Sequence, residues 1–227
     1  VDAELAEALV VAAHRDGIDV AISHRMEADH GMTQLLTQVF DWQRLPKVIP
    51  AFINCAAPPL PPIDRVIRFG RAVGQHVQSE CASKRILFAA SGGLSHDPPI
   101  PSLNAAPDPV RERLIAGGKL DAEARHARQE RVLSDATKQV DGSSKQTPLN
   151  EAWDKKVLGN LVANDIEELI AMDDESITTN GGCGGHEIRS WIAAATAARA
   201  AGCEGFDVRF YRAIPEWVAG YAIMTAA

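Results

Sequence analysis

Over residues 3–90 the chain alternates helical with strand-like runs, and that rhythm narrows the available folds more than any other feature. Leu5, Leu9, Val10 and Ala13 fall at helical spacing over 3–13, Gly17 ends the unit, and 18–22 reads as a short strand. A second helical segment at about 33–40 leads to the apolar run 48–53, where Pro50 points to an irregular or edge strand. After Pro58, Pro59, Pro61 and Pro62, a helix fits 64–78 with Val66, Ile67, Phe69, Val73 and Val77 on one side, and a strand fits 85–90. Such alternation builds a sheet of parallel strands covered by helices. The expected fold class is therefore α/β, with a largely parallel or mixed central sheet carrying helices on both faces.

The second half is read as mostly helical. Arg and Glu crowd 111–131 where hydrophobics are sparse, so 103–145 is expected to be a charged helical excursion, either solvated or an oligomer contact. Helices fit 151–161, 165–172 and 186–201, the last with Ile188, Trp191, Ile192 and Ala195 as its buried stripe. A strand-like run at 206–211 and a mixed segment close the chain. At 227 residues one catalytic domain, 1–227, is expected rather than two.

Composition removes several function classes. Lys and Arg total 23 against 30 for Asp and Glu, a net charge of -7, which offers neither a basic nucleic-acid groove nor a polybasic membrane patch. No apolar run approaches the roughly 20 residues that span a bilayer. Cys55, Cys81, Cys183 and Cys203 form no CxxC pair, so reduced thiols in the cytoplasm are the simplest reading. There is no GxxxxGK[ST] loop, and Asp97 stands where a GxSxG elbow needs its last glycine.

Three places carry candidate chemistry. In residues 87–99 an apolar run meets Gly92-Gly93 and then presents His96 on a loop stiffened by Pro98-Pro99. Loops beyond the carboxyl end of a strand bind ligands in open α/β folds, and histidine titrates near neutrality, so His96 is a candidate proton shuttle. The plainer reading is a loop histidine bonded to a backbone carbonyl. Asp29-His30-Gly31 offers a second imidazole beside a carboxylate that could orient it, against a simple turn with a surface histidine. Glu187 opens a helix behind the glycine-rich 181–185; it either complements the helix dipole or supplies one oxygen to a metal. His186-Glu187 is not the start of HExxH, since Ser190 occupies the place of the second histidine. Adjacent helical residues point about 100° apart, so His186 is not expected to share a metal with Glu187. His14, His24, His76 and His126 are read as surface histidines.

Taken together, Asp29-His30-Gly31, the stretch 91–99, His186-Glu187-Ile188-Arg189-Ser190-Trp191 and Ile214-Pro215-Glu216-Trp217-Val218-Ala219-Gly220 resemble the class III extradiol ring-cleavage dioxygenases. Phe52-Ile53-Asn54 and Arg111-Glu112-Arg113-Leu114 extend the resemblance along the chain in the same order. It implies Fe(II) held by two histidines and a glutamate, a small aromatic diol such as a catechol with a propionate-like side chain, and O2 as co-substrate. Glu187 matches the family's glutamate ligand, His30 and His96 its two acid–base histidines, and Asp29 the acidic partner of His30. The family's two histidine ligands sit in Ser-His-Ser-Pro and Asp-His-Tyr motifs, and neither occurs in this sequence. The resemblance thus implies a chain that starts after them, with the first strands of the sheet missing, and a homo-oligomer. Two rival readings remain: an iron-free, non-catalytic subunit of the same fold, and a metal-dependent hydrolase on a related sheet.

Overall fold

The computed structural model describes residues 1–98, 101, 103, 106–117 and 120–227. Pro99 and parts of the 103–145 excursion lie outside the described residues. Among the described residues the chain forms helices α1 (Ala3–Arg15), α2 (His30–Val39), α3 (Ile63–Glu80), α4 (Asp108–Ala116), α5 (Ala122–Asp141), α6 (Glu151–Ala163), α7 (Ile166–Ile170), α8 (Asp174–Gly181) and α9 (Ile188–Ala200). Strands β1 (Asp207–Ile214) and β2 (Ala219–Thr225) follow.

Capping chemistry sets most of the helix starts. The side chains of Asp2, Asp29, Asp121, Asn150, Asp165 and Asp173 each accept a hydrogen bond from a backbone N–H in the first turn. Such caps contribute about 1 kcal/mol each. The expected helices at 3–13, 33–40, 64–78 and 151–161 are all present, with ends shifted by a few residues. Helix α8 was not foreseen, because Asp174–Gly181 lacks a strong apolar period; only Ile177 and Gly181 are buried there.

The core forms where α3 crosses α9. Gly70 and Gly74 bring the two backbones close, since a Cβ at Gly70 would meet Thr196 Oγ1 at 2.1 Å and one at Gly74 the Ala197 carbonyl oxygen at 2.1 Å. Ile63, Val66, Ile67, Val157, Leu161, Leu169, Ile177, Ile188 and Ile192 are all buried in one cluster with Leu94 and Trp153. Each such side chain stabilises the fold by about 1.5–3 kcal/mol through area removed from water.

The sheet is smaller than expected. Strands and helices are both present, but among the described residues only β1 and β2 pair, antiparallel, with Tyr211 opposite Ala222 and Ala213 opposite Gly220. The runs 18–22, 48–53 and 85–90 form no ladder. Their side chains show it: Phe52 is 69% and Leu87 63% exposed. Local sequence makes a segment extended, whereas a strand also requires a partner for its N–H and C=O groups. Helices α4 and α5 are largely exposed, as their charge pattern predicts; α5 buries only Asp135 and Ala136. No helix among the described residues is long and apolar enough to cross a membrane.

Candidate active site

The loop that carries His96 has no regular secondary structure, yet every main-chain polar group of Leu94, Ser95 and His96 is paired. Leu94 N–H donates to the Gly220 carbonyl at 3.1 Å, and Gly220 N–H donates back to the Ser95 carbonyl at 2.9 Å. His96 N–H donates to Gly181 at 2.8 Å, and Gly184 N–H donates to the His96 carbonyl at 2.9 Å. Ser95 N–H donates to Asp154 Oδ1 at 2.7 Å, and the Leu94 carbonyl lies 2.9 Å from His96 Nδ1. A carbonyl only accepts, so Nδ1 carries a proton and Nε2 is the free face of the ring.

That free face meets Glu187. Nε2 stands 3.5 Å from Glu187 Oε1, while Glu187 Oε2 accepts the Gly93 N–H at 2.6 Å. Glu187 ends the short 3₁₀ turn Gly184–Glu187 that leads into α9, so its position is set by the same glycines that crowd His96. A Cβ on Gly184 would stand 2.2 Å from His96 Nε2. Trp191, one turn further along α9, closes the other side by donating its Nε1–H to the Gly92 carbonyl at 2.9 Å.

Each partner alters the other's proton affinity. Burial pushes the His96 ring toward neutrality, but the Glu187 carboxylate, the Leu94 carbonyl and Asp97 outweigh it and raise its pKa above that of an ordinary histidine. Burial likewise pushes Glu187 upward; the His96 bond, the Gly93 N–H and the charge of His30 together hold it below the usual glutamate range. Each group thus favours the charged form of the other.

His30 is exposed at the first turn of α2, within electrostatic range of Glu187. Of the two histidines singled out in the sequence, His96 pairs with Glu187 and His30 acts on it only through its charge. Asp29 has its side chain turned to the helix: it caps α2 by accepting the Met32 N–H at 3.2 Å. His186 points into the protein, with Nδ1 taking a bond from Arg189 at 2.7 Å and Nε2 bonded to Thr178 Oγ1 at 2.8 Å. It is committed to holding α8 against α9, apart from Glu187.

Sequence reasoning missed three neighbours of this point. Tyr221 on β2 feels the Glu187 charge, and burial with that charge pushes its phenol upward. Its ring meets Trp217 edge-on at 5.4 Å. Cys183 donates its backbone N–H to Asp97 Oδ1 at 3.0 Å, and burial beside that carboxylate takes its thiol to about 12. Asp154, wholly buried, receives Ser95 and Tyr211. None of these sits in a motif with recognisable spacing.

No group of three or more His, Cys, Asp or Glu side chains able to hold a metal ion occurs among the described residues. Glu187 supplies one carboxylate oxygen, and the neighbouring His96 already spends Nδ1 on Leu94. The described donor set is thus one ligand, not a shell, and a metal does not fit it unaided.

The site thus joins a loop histidine to a carboxylate, with Trp191 bonded to the Gly92 carbonyl and Tyr221 within electrostatic range of Glu187. Residues 1–222 match the family model described as the catalytic LigB subunit of aromatic ring-opening dioxygenase, and the chain belongs to this family. It is 43% identical over 226 residues to a 2,3-dihydroxyphenylpropionate/2,3-dihydroxicinnamic acid 1,2-dioxygenase of Cupriavidus pinatubonensis, covering 100% of this chain and 71% of that protein. Proteins of the same name in Photorhabdus laumondii (44% identical, 97% of this chain, 69% of that protein) and Escherichia coli (41%, 100% and 72%) are similarly related.

Proposed function

We propose that this chain takes part in extradiol cleavage of a catechol such as 2,3-dihydroxyphenylpropionate, in the breakdown of aromatic compounds. One O2 is consumed per ring, both of its atoms enter the product, and the product is a yellow hydroxy-keto-dienoate. Family membership and the substrate printed in its relatives' names support the reaction class. The observation that carries the reading is the pairing of His96 Nε2 with Glu187 while Nδ1 is held by a backbone carbonyl.

In this reading Fe(II) would supply the chemistry that activates O2; Glu187 would give it one oxygen, and its other ligands would be groups that the described residues do not supply. The protein's own groups handle protons. His96 takes a proton from the diol at Nε2 and returns it as a general acid when the ring opens; its raised pKa keeps that proton available near neutrality. His30, exposed and within electrostatic range of Glu187, is the second proton carrier, and Asp29 orients it indirectly by fixing the start of α2. The unpaired apolar runs at 18–22, 48–53 and 85–90, with Ile22, Phe52, Ile86 and Leu87 exposed, have the composition of sheet strands, which supports a larger central sheet for the domain. The four free cysteines favour the cytoplasm.

The test is anaerobic loading with Fe(II), followed by 2,3-dihydroxyphenylpropionate and air. Yellow product from the wild type that His96→Gln fails to form, with bound iron unchanged, supports the proposal. A colourless reaction at saturating iron rejects the activity, and turnover unaffected by His96→Gln rejects the assigned role.

A further inference from the structure

Asp154 lies at the centre of the His96 loop, yet no motif points to it. It is fully buried on α6, and among the described residues no Lys or Arg forms an ion pair with it. Three donors compensate its oxygens instead: Ser95 N–H on Oδ1 at 2.7 Å, and on Oδ2 the Ser95 hydroxyl at 2.9 Å and the Tyr211 hydroxyl at 2.8 Å. Ser95 Oγ in turn accepts the Asn150 N–H at 2.9 Å. The carboxylate thus grips the residue immediately before His96 by both its backbone and its side chain. Tyr211, on β1, fixes Oδ2 from the opposite side. Gly220 backs the same oxygen, since a Cβ there would stand 2.1 Å from Asp154 Oδ2.

A buried carboxylate is costly, and one with three donors persists where the geometry it enforces is needed. Here that geometry is the direction of the imidazole. The Leu94 carbonyl can hold His96 Nδ1 only while the backbone of 94–96 keeps its course, and Ser95 is the pivot of that course. We propose that Asp154, with Tyr211 and Ser95, is the positioning residue that fixes the His96 ring with Nδ1 protonated and Nε2 aimed at the reacting site. This rests on the acid–base role given to His96 above, but the placement of the ring can be measured without turnover.

The experiment follows the ring-nitrogen signals of His96 in histidine-labelled protein, identified by their loss in His96→Gln. At a pH where the ring is neutral, wild type is expected to show one tautomer, protonated at Nδ1. Asp154→Asn loses the acceptor at one oxygen and is expected to show mixed tautomers. Ser95→Ala and Tyr211→Phe each remove one bond and are expected to shift the signals in the same direction; they decide the matter if Asp154→Asn does not fold. Leu169→Ala, a remote cavity in the core, is expected to lower the melting temperature and leave His96 alone. In the ring-cleavage assay, kcat of the Asp154 variant is expected to fall about 10²-fold, as for a misplaced catalytic group, with KM little changed. Unchanged His96 signals in the folded variants overturn the proposal, as does equal scrambling by Leu169→Ala. If the wild type does not cleave the ring, the functional reading fails and the ring signals still decide the role of Asp154.

Discussion

Gly184→Ala places a methyl group where the His96 ring lies. The new Cβ would stand 2.2 Å from Nε2, 2.3 Å from Cδ2 and 2.4 Å from Cε1. Those contacts are about 1.3 Å short of the ~3.5 Å at which non-bonded atoms sit best. Gly184 is not among the positive-φ glycines, so the backbone itself accepts alanine and the whole effect falls on the ring. The Gly184 N–H is bonded to the His96 carbonyl, which prevents the two segments from simply separating. The ring must therefore turn, losing its Nδ1 bond to Leu94 and its approach to Glu187. Overpacking of this kind costs about 1–3 kcal/mol, and the lost hydrogen bond about 1 kcal/mol more. Against this stands an unfolded-state gain for Gly→Ala of about 0.4–1 kcal/mol. The net loss of about 1–3 kcal/mol lowers the melting temperature by roughly 2–12 °C in a domain of this size. Scanning calorimetry reads the shift, and the His96 ring-nitrogen signals read the displacement. Gly185→Ala is the matched control: its Cβ would meet Trp153 at 3.2 Å, away from His96. The reasoning is refuted if Gly184→Ala leaves the His96 signals as in wild type, or if Gly185→Ala displaces them equally.

Tyr211→Phe removes one of three donors to the buried Asp154 carboxylate and is expected to cost about 1–3 kcal/mol in chemical unfolding. Arg189→Met strips partners from His186, Asp174 and the Pro61 carbonyl at once; with Arg189 fully buried, the loss is expected to reach about 3–5 kcal/mol by the same measurement. Burial raises Asp97, but the Thr147 and Cys183 N–H groups more than reverse that and hold its carboxyl below the usual range. Its folded pKa lies below the unfolded one, so it stabilises the protein above about pH 3.9 and that contribution disappears as pH falls through the folded value. Asp97→Asn should flatten the acid limb of a melting-temperature profile, and an unaltered limb would exclude the contribution.

What could be read from the sequence divides by distance along the chain. Helices α1, α3 and α6 follow from apolar spacing, joined in α1 and α6 by side-chain caps, all of it local along the chain. The cap of α2 was equally local, yet Asp29 drew attention as a partner for the adjacent imidazole; its place just before a helical run is the signal that identifies a cap. The runs 18–22 and 85–90 show why the sheet is harder to read: short apolar runs favour an extended backbone, whereas pairing depends on segments far away. The site splits along the same line. His96, His30 and Glu187 stand out because glycine, proline and carboxylate neighbours mark them locally. Asp154 reaches Ser95 across 59 residues and Cys183 reaches Asp97 across 86, with no spacing rule to announce either.

That division fits the proton-carrying role proposed for His96. A ring in that role must present one nitrogen to its ligand. A loop gives the freedom to aim it, but loop backbone inside a protein has polar groups that must all be paired. Here the pairing comes from four directions: α6 through Asp154, β2 through Gly220, α8 through Gly181, and the Gly184 turn. Two of these contacts also join the two-stranded sheet to the helical core: Gly220, the second residue of β2, bonds Leu94 and Ser95, and Asp154 on α6 accepts the Tyr211 hydroxyl from β1. Loosening the His96 loop therefore also loosens the docking of the β1–β2 hairpin. Variants that free the ring should show both losses together, with the hairpin amides of β2 exchanging faster in proportion to the disorder of His96.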